Sequence, residues 1–222
     1  MQKLFTKIYN KNRWNSAESR SGPTPTLRRT ENLRKELPRL LHKFDIKTLF
    51  DAPCGDMNWM RVLLKEIDVH YIGGDIVGPL IEQHQADPEL NKRGRFMLLD
   101  LTRDPLPAAD MMLARDFLFH LSFDDALAFM RNFAASDIRY LLTTSHINNG
   151  KFQNSDNETP RWRWIDLFQP PYNFAEDVLD KILDAGGDRY LYLWTRAQVA
   201  DACGRFSNSA ELNNRISSHS ES

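Results

Sequence analysis

Short apolar runs alternate with amphipathic stretches along the middle of the chain, and four of those runs end in an aspartate. They are Thr48-Leu49-Phe50-Asp51, Tyr71-Ile72-Gly73-Gly74-Asp75, Phe96-Met97-Leu98-Leu99-Asp100 and Met112-Leu113-Ala114-Arg115-Asp116. Runs of this length with few polar residues suit strands buried on both faces. Leu33, Leu37, Leu40 and Leu41 recur at helical spacing and predict a helix over 31–43. The pattern then predicts strand 46–51, helix 57–67, strand 69–75, helix 77–86, strands 95–100 and 110–116, helix 123–135 and strand 139–145. Such alternation implies an α/β fold, with a parallel sheet covered on both faces by helices and joined by right-handed crossovers.

The rhythm breaks at Ile147. Residues 147–169 read as a long loop that opens on Asn148-Asn149-Gly150 and ends in Arg161-Trp162-Arg163-Trp164; loops of this length inside a compact domain are usually functional or disordered. Beyond it, Phe174 to Leu183 predict a helix and Arg189 to Trp194 a last strand. Residues 1–26 are polar and mixed, with a turn-rich Ser19–Pro25, and residues from Ser207 onward are Ser-, Asn- and Glu-rich and read as disordered. The chain thus divides into an N-terminal segment and helix (1–44), a main domain (45–205) and a tail (206–222).

Composition narrows the class. A formal charge of −1 over 222 residues gives no global field for nucleic acid or anionic lipid. Two distant cysteines, Cys54 and Cys203, argue against a disulfide framework and against a four-ligand zinc site, and a reducing cytoplasm is the simplest expectation. No secretory h-region and no run of eighteen apolar residues is present. His84 and the carboxylates form no metal-ligand spacing, so no metal site is expected.

In an open parallel sheet, ligands bind outside the carboxyl ends of the strands, so four strand-end aspartates would line one crevice. Asp51-Ala52-Pro53-Cys54-Gly55-Asp56 lies between a strand and a plausible helix, where nucleotides are cradled. Carboxylates flank this turn and Pro53 stands where a pyrophosphate loop has its first glycine. A like-charge contact at 4 Å costs about 4 kcal/mol at an effective dielectric of 20. The turn therefore favours an ammonium or sulfonium over a pyrophosphate, which disfavours a nicotinamide-dependent dehydrogenase. Asp75 follows Asp51 by 24 residues, near the interval at which an acidic residue meets ribose hydroxyls. Asp100 with Leu101 is placed to meet an adenine.

The run Phe50 to Asp56, then Tyr71 to Ile76, Asp100-Leu101 and Arg115-Asp116-Phe117-Leu118-Phe119-His120-Leu121 resembles class I S-adenosylmethionine-dependent methyltransferases, over roughly Trp14 to Trp194. More narrowly it is similar to small bacterial and animal methyltransferases of sugars or other small hydroxylated molecules. Pro53 and Asp56 depart from the family-wide acidic-x-Gly-x-Gly-x-Gly form. The resemblance implies a Rossmann-like, doubly wound, mostly parallel seven-stranded sheet and S-adenosyl-L-methionine as cofactor. It implies a cofactor site of Asp51, Pro53, Cys54, Gly55, Asp56, Asp75, Ile76, Asp100, Leu101 and Arg115. Trp14, Glu18, Ser19, Ser21 and Gly22 look like the family's N-terminal segment, which would act as a lid, and Arg163 and Asp166 look like part of a family motif.

Methyl transfer to a hydroxyl needs a base beyond the fourth strand. His120 is the expected base, with Asp116, four residues earlier, as its hydrogen-bonded orienter or as a cofactor contact. Trp162, Arg163 and Asn148 are expected to bind the acceptor, since aromatic faces stack on sugars and arginines bind polar oxygens. Cys54 reads as a small turn residue without an activating histidine nearby, not as a nucleophile. Gln169-Pro170-Pro171-Tyr172 echoes a signature of base-amine methyltransferases but stands after the fifth strand instead of the fourth, so nucleic acid is not expected as a partner. The expectation is O-methylation of a small-molecule or glycan acceptor; the competing reading is a non-catalytic partner module, which a cavity plugged by Phe117 or Trp162 would favour.

Overall fold

The computed structural model describes residues 1–206. Its strands are β1 (Thr48–Asp51), β2 (His70–Asp75), β3 (Gly94–Leu98), β4 (Met111–Ala114), β5 (Tyr140–His146), β6 (Asp180–Asp184) and β7 (Arg189–Thr195). They form one sheet in the order β3-β2-β1-β4-β5-β7-β6. Pairing is parallel from β3 through β5 and antiparallel on both sides of β7. The chain runs outward from β1 to β3 and then returns to β4 on the other side of β1. The strand order therefore reverses between β1 and β4, the place where open α/β sheets bind ligands.

The helices are α1 (Gln2–Asn10), α2 (Glu31–Lys43), α3 (Met60–Leu63), α4 (Gly78–Gln85), α5 (Pro88–Asn91) and α6 (Phe123–Ala134), and residues 196–206 are also helical. Successive residues of the central strands enter different clusters, as the period of two requires. Leu49, Met111 and Leu113 pack with the fully buried Leu33, Leu37 and Leu40 of α2. Phe50, Met112 and Ala114 pack with Ala126, Phe129, Met130 and Phe133 of α6. Ser122 starts α6 by accepting a hydrogen bond from the Asp125 amide at 3.1 Å, satisfying an otherwise orphaned donor.

Several expectations need correction. The sheet is seven-stranded and mostly parallel, but its parallel pairing ends at β5, because β6 and β7 form an antiparallel hairpin. Phe174 to Leu183 is not a helix: Phe174 donates to the Leu167 carbonyl and Leu179 to that of Leu193, and β6 follows. Along β6 burial alternates, with Ile182 and Asp184 inside and Lys181 and Leu183 outside, so leucine spacing that suited a helix is used with period two. The helix foreseen over 57–67 is reduced to α3, since Met57 takes a positive φ of 61° and the turn after Val62 tightens to bonds between residues three apart. Residues 1–26 contain α1, which buries Ile8 and Tyr9. Phe206 is packed against Tyr172 and Phe123, inside the core and not in a tail. The disorder foreseen from Ser207 lies outside the described residues. Among the described residues no helix is long and apolar enough to cross a membrane.

Phe129 couples this core to the carboxyl end of β4, meeting the ring of Phe117 edge-on at 5.1 Å. Phe129→Ala should cost about 3–5 kcal/mol, measured as a lower urea midpoint with an unchanged denaturant slope.

Candidate functional site

β1 and β2 end at Asp51 and Asp75, and Asp100 and Asp116 lie two residues beyond β3 and β4. All four line one cavity of about 540 Å³, which falls within the range of small-molecule sites. Pro53, Cys54, Gly55 and Asp56 line it from the β1 turn, Ile76 and Leu101 from the next two strand ends, and Arg115, His120 and Trp162 from beyond β4. Phe117 also borders the cavity without filling it. Arg163 and Asn148 are placed elsewhere. The Arg163 guanidinium donates to Asn157 and to the Tyr172 hydroxyl and sits 4.7 Å from the Phe123 ring centre. Asn148 bonds to Phe152 and to Asp166. These contacts fasten the 147–169 loop, and the buried Tyr172 of the Pro-Pro-Tyr run belongs to the same packing.

The turn after β1 is shaped by close approach. Gly55 has a φ of 56°, and a Cβ there would stand 2.5 Å from the Ser21 hydroxyl. His84 of α4 holds the Gly55 carbonyl through Nε2 at 2.8 Å, so that nitrogen carries the proton. The Gly55 amide donates to Asp75 at 3.1 Å, and Val77 donates to its other oxygen. Burial pushes the Asp75 carboxyl up to about 6 despite these amides. Asp51 accepts from the Tyr71 hydroxyl at 2.7 Å, and burial pushes it up to about 7 against the pull of Tyr71 and Arg115. Burial likewise raises the Cys54 thiol well above its ordinary range, which keeps it protonated.

The N-terminal segment closes over this turn. Asp56 accepts from Ser19 Oγ at 3.0 Å and from the Arg20 amide at 2.7 Å, while Ser21 Oγ accepts from the Asp56 amide. Glu18 accepts from Asn58 and from the Leu27 amide. Thr24 donates to Asp116 at 2.6 Å, and its carbonyl accepts from Arg115. Trp14, Tyr9 and Phe5 line the cavity from the same segment.

Asp116 does not orient His120. It sits at a φ of 53°, and its oxygens are taken by Thr24 and by the guanidinium groups of Arg189 and Arg115. Burial opposes its ionisation, but the two arginines outweigh that and hold its carboxyl below the usual range. Arg115 is itself clamped by two bonds to the buried Asp184, at 2.9 and 3.2 Å. His120 instead bonds the Pro160 carbonyl through Nδ1 at 3.2 Å. A carbonyl only accepts, so Nδ1 carries the proton and the Nε2 lone pair is left available. Burial pushes this imidazole down to about 4, against the pull of Asp116. It is therefore neutral at physiological pH.

Four residues of the site escaped sequence reasoning. Tyr71, Thr24, His84 and Arg189 act across long sequence separations, and Arg189 reaches the cavity only because β7 runs backwards beside β5. No local pattern announces such contacts.

No family profile matches the chain, and no curated protein resembles it significantly. Solved structures do. The methyltransferase domain of bacterial CtHen1 superposes with a TM-score of 0.55 at 17% identity, over 75% of this chain and 98% of that one. Magnesium protoporphyrin IX methyltransferase (ChlM) from Synechocystis PCC 6803, with bound SAH, gives 0.54 at 14% identity, over 74% of this chain and 82% of that one. The O-methyltransferase NcsB1 of neocarzinostatin biosynthesis, in complex with S-adenosylmethionine and 2-hydroxy-5-methyl naphthoic acid, gives 0.53 at 14% identity over 73% of this chain, which spans about half (56%) of that protein. Identities this low speak to architecture alone, and in architecture this chain has the fold of class I S-adenosylmethionine-dependent methyltransferases.

Proposed function

We propose that the chain transfers a methyl group from S-adenosylmethionine to the hydroxyl of a small acceptor. The observation that carries this reading is the gathering of Asp51, Asp75 and Asp100 on one cavity that also exposes a neutral histidine. The residues suit the cofactor: Asp51 and Asp75 are desolvated carboxylates with few protein partners, and a cationic, hydroxyl-bearing ligand completes them. In this assignment Asp75 binds the ribose hydroxyls, Asp100 and Leu101 the adenine, and Asp51 with the Pro53–Asp56 turn the methionine end. When bound, the cofactor supplies an electrophilic methyl on a sulfonium. His120 Nε2 removes the acceptor proton, and Trp162 lines the acceptor's approach. Residues 1–44 form a lid that excludes water, fastened by Asp56 and by Asp116, while residues 45–205 form the cofactor-binding domain. Asp116 and Arg115 position this lid and the loop bearing His120.

Isothermal titration with S-adenosylhomocysteine should show binding that Asp75→Ala weakens by about tenfold or more, the scale of one charge-assisted hydrogen-bond set. Absence of heat with the wild-type protein overturns the cofactor assignment. His120→Ala should lower turnover by about 10²–10⁴-fold while preserving cofactor affinity.

The buried carboxylates also carry a pH signature. The Asp51 pKa stands above its unfolded value of 3.8, so the fold favours the neutral form. That contribution to stability is complete below pH 3.8 and is lost as pH rises through about 7. Asp51→Asn keeps an acceptor for Tyr71 and cannot ionise. Its melting temperature without ligand should therefore gain on the wild type between pH 5 and pH 9, and a constant difference across that range would contradict the burial of an ionisable group.

A further inference from the structure

The formal charge of −1 hides an uneven distribution. Residues 1–44 hold eleven lysines and arginines against three glutamates, whereas the rest of the chain holds 18 basic residues against 27 acidic ones. Charge asymmetry on this scale points to an anionic partner for the basic part. Helix α1 gives that part a face. Its Phe5 and Tyr9 pack with Val77 and Leu80, and the Tyr9 hydroxyl donates to Gln83 at 3.4 Å. Lys3, Lys7 and, at the C-cap, Lys11 are exposed and line one open depression of about 500 Å³ with Gly78 and Pro79 of α4. None of the three pairs with a carboxylate among the described residues. The spacing of four sets them about 6 Å apart along the axis, where like charges weaken a helix. Leu4, three residues before Lys7 and seven before Lys11, shares that side and is 40% exposed.

We propose that α1 docks the protein on an anionic lipid surface, with Lys3, Lys7 and Lys11 against the headgroups and Leu4 entering the layer beneath them. This stands apart from the methyl-transfer reading and does not need it. Each lysine held near an anionic bilayer adds to binding, and an apolar side chain beside the lysines adds what it buries. A bilayer also accepts a convex helix face without a groove to match it. A nucleic acid strand suits this face less: it asks for aromatic platforms among the charges, and the face supplies a leucine instead. The acidic remainder of the chain is repelled by the same lipids, which sets the orientation of the docked molecule. Position gives docking a consequence. Met1, Phe5 and Tyr9 line the cavity from the same helical segment, so α1 lying on the surface brings the cavity mouth beside it.

The test is sedimentation of the full chain with vesicles of phosphatidylcholine alone and of phosphatidylcholine with about one-third phosphatidylglycerol, at low and high salt. Titration with oligouridylate and analytical ultracentrifugation without vesicles accompany it. We expect binding to the anionic vesicles only, falling steeply as salt rises. Combining Lys3→Ala, Lys7→Ala and Lys11→Ala should weaken that binding about a hundredfold, and Leu4→Ala should weaken it severalfold, with melting temperatures unchanged in both variants. Absence of binding to anionic vesicles, equal binding to neutral ones, or undiminished binding in the triple variant or in Leu4→Ala each overturns the proposal. Oligouridylate binding without vesicle binding assigns the face to nucleic acid, and a lysine-dependent dimer in the absence of vesicles assigns it to a second copy of the chain; either result overturns it as well.

Discussion

Two carboxylates are sealed at the ends of neighbouring parallel strands, and much of the site is arranged around that cost. Removing an ionised carboxylate from water costs about several kcal/mol even after relaxation. Asp51 has the Tyr71 hydroxyl and Asp75 the Gly55 and Val77 amides. These bonds do not cancel the desolvation, since both groups remain harder to ionise than a free carboxyl. A fold that wanted only a core would place apolar side chains there. Retaining two acids at the carboxyl ends of β1 and β2, beside the point where strand order reverses, fits a site that takes positive charge and hydroxyl donors from outside.

The same constraint explains why the N-terminal segment adheres to the first turn. Asp56 accepts from the Ser19 hydroxyl and the Arg20 amide, so this carboxylate fastens the cover while its charge still adds to the negative lining. Thr24 extends the fastening to Asp116 and Arg115, and Arg115 is anchored in turn by Asp184 of β6. One chain of polar contacts thus runs from the cover, across the loop after β4, to the antiparallel hairpin. Each neutral hydrogen bond contributes about 1 kcal/mol, whereas an uncompensated buried charge costs several times that. Losing one charged member of the chain therefore disturbs more than its own contact.

The sheet was legible in the sequence because strands buried on both faces leave continuous apolar runs, and the aspartates at their ends broke those runs sharply. The gathering of those aspartates on one crevice then followed from the parallel architecture. β6 was misread because Leu179, Ile182 and Leu183 satisfy helical spacing, and the partner strand that selects period two lies beyond it in β7. α1 was hidden by its polar composition, although Phe5, Ile8 and Tyr9 carry the spacing of a buried face. Arg163 was assigned to substrate on residue type and on a resemblance to a family motif. In the fold its guanidinium donates to Asn157 and Tyr172 and pairs with Asp156, contacts no spacing rule foretells.

The relation between Asp116 and His120 is the most instructive of these departures. Four residues on a helix would set the two side chains on one face, but the segment between them is only a single tight turn (Leu118–His120), and Asp116 enters it with a positive φ. The carboxylate swings to Arg189 and Arg115 and is held ionised by them. A carboxylate whose oxygens are already engaged by two guanidinium groups and a hydroxyl is a poor proton acceptor, since taking a proton would forfeit those contacts. His120 loses no such partner when Nε2 takes a proton, and its Nδ1 proton already has the Pro160 carbonyl to stabilise the imidazolium that results. Of the two groups singled out beyond β4, the histidine is therefore the one with a free proton-accepting nitrogen, and the aspartate is the one bonded to Thr24 of the N-terminal segment.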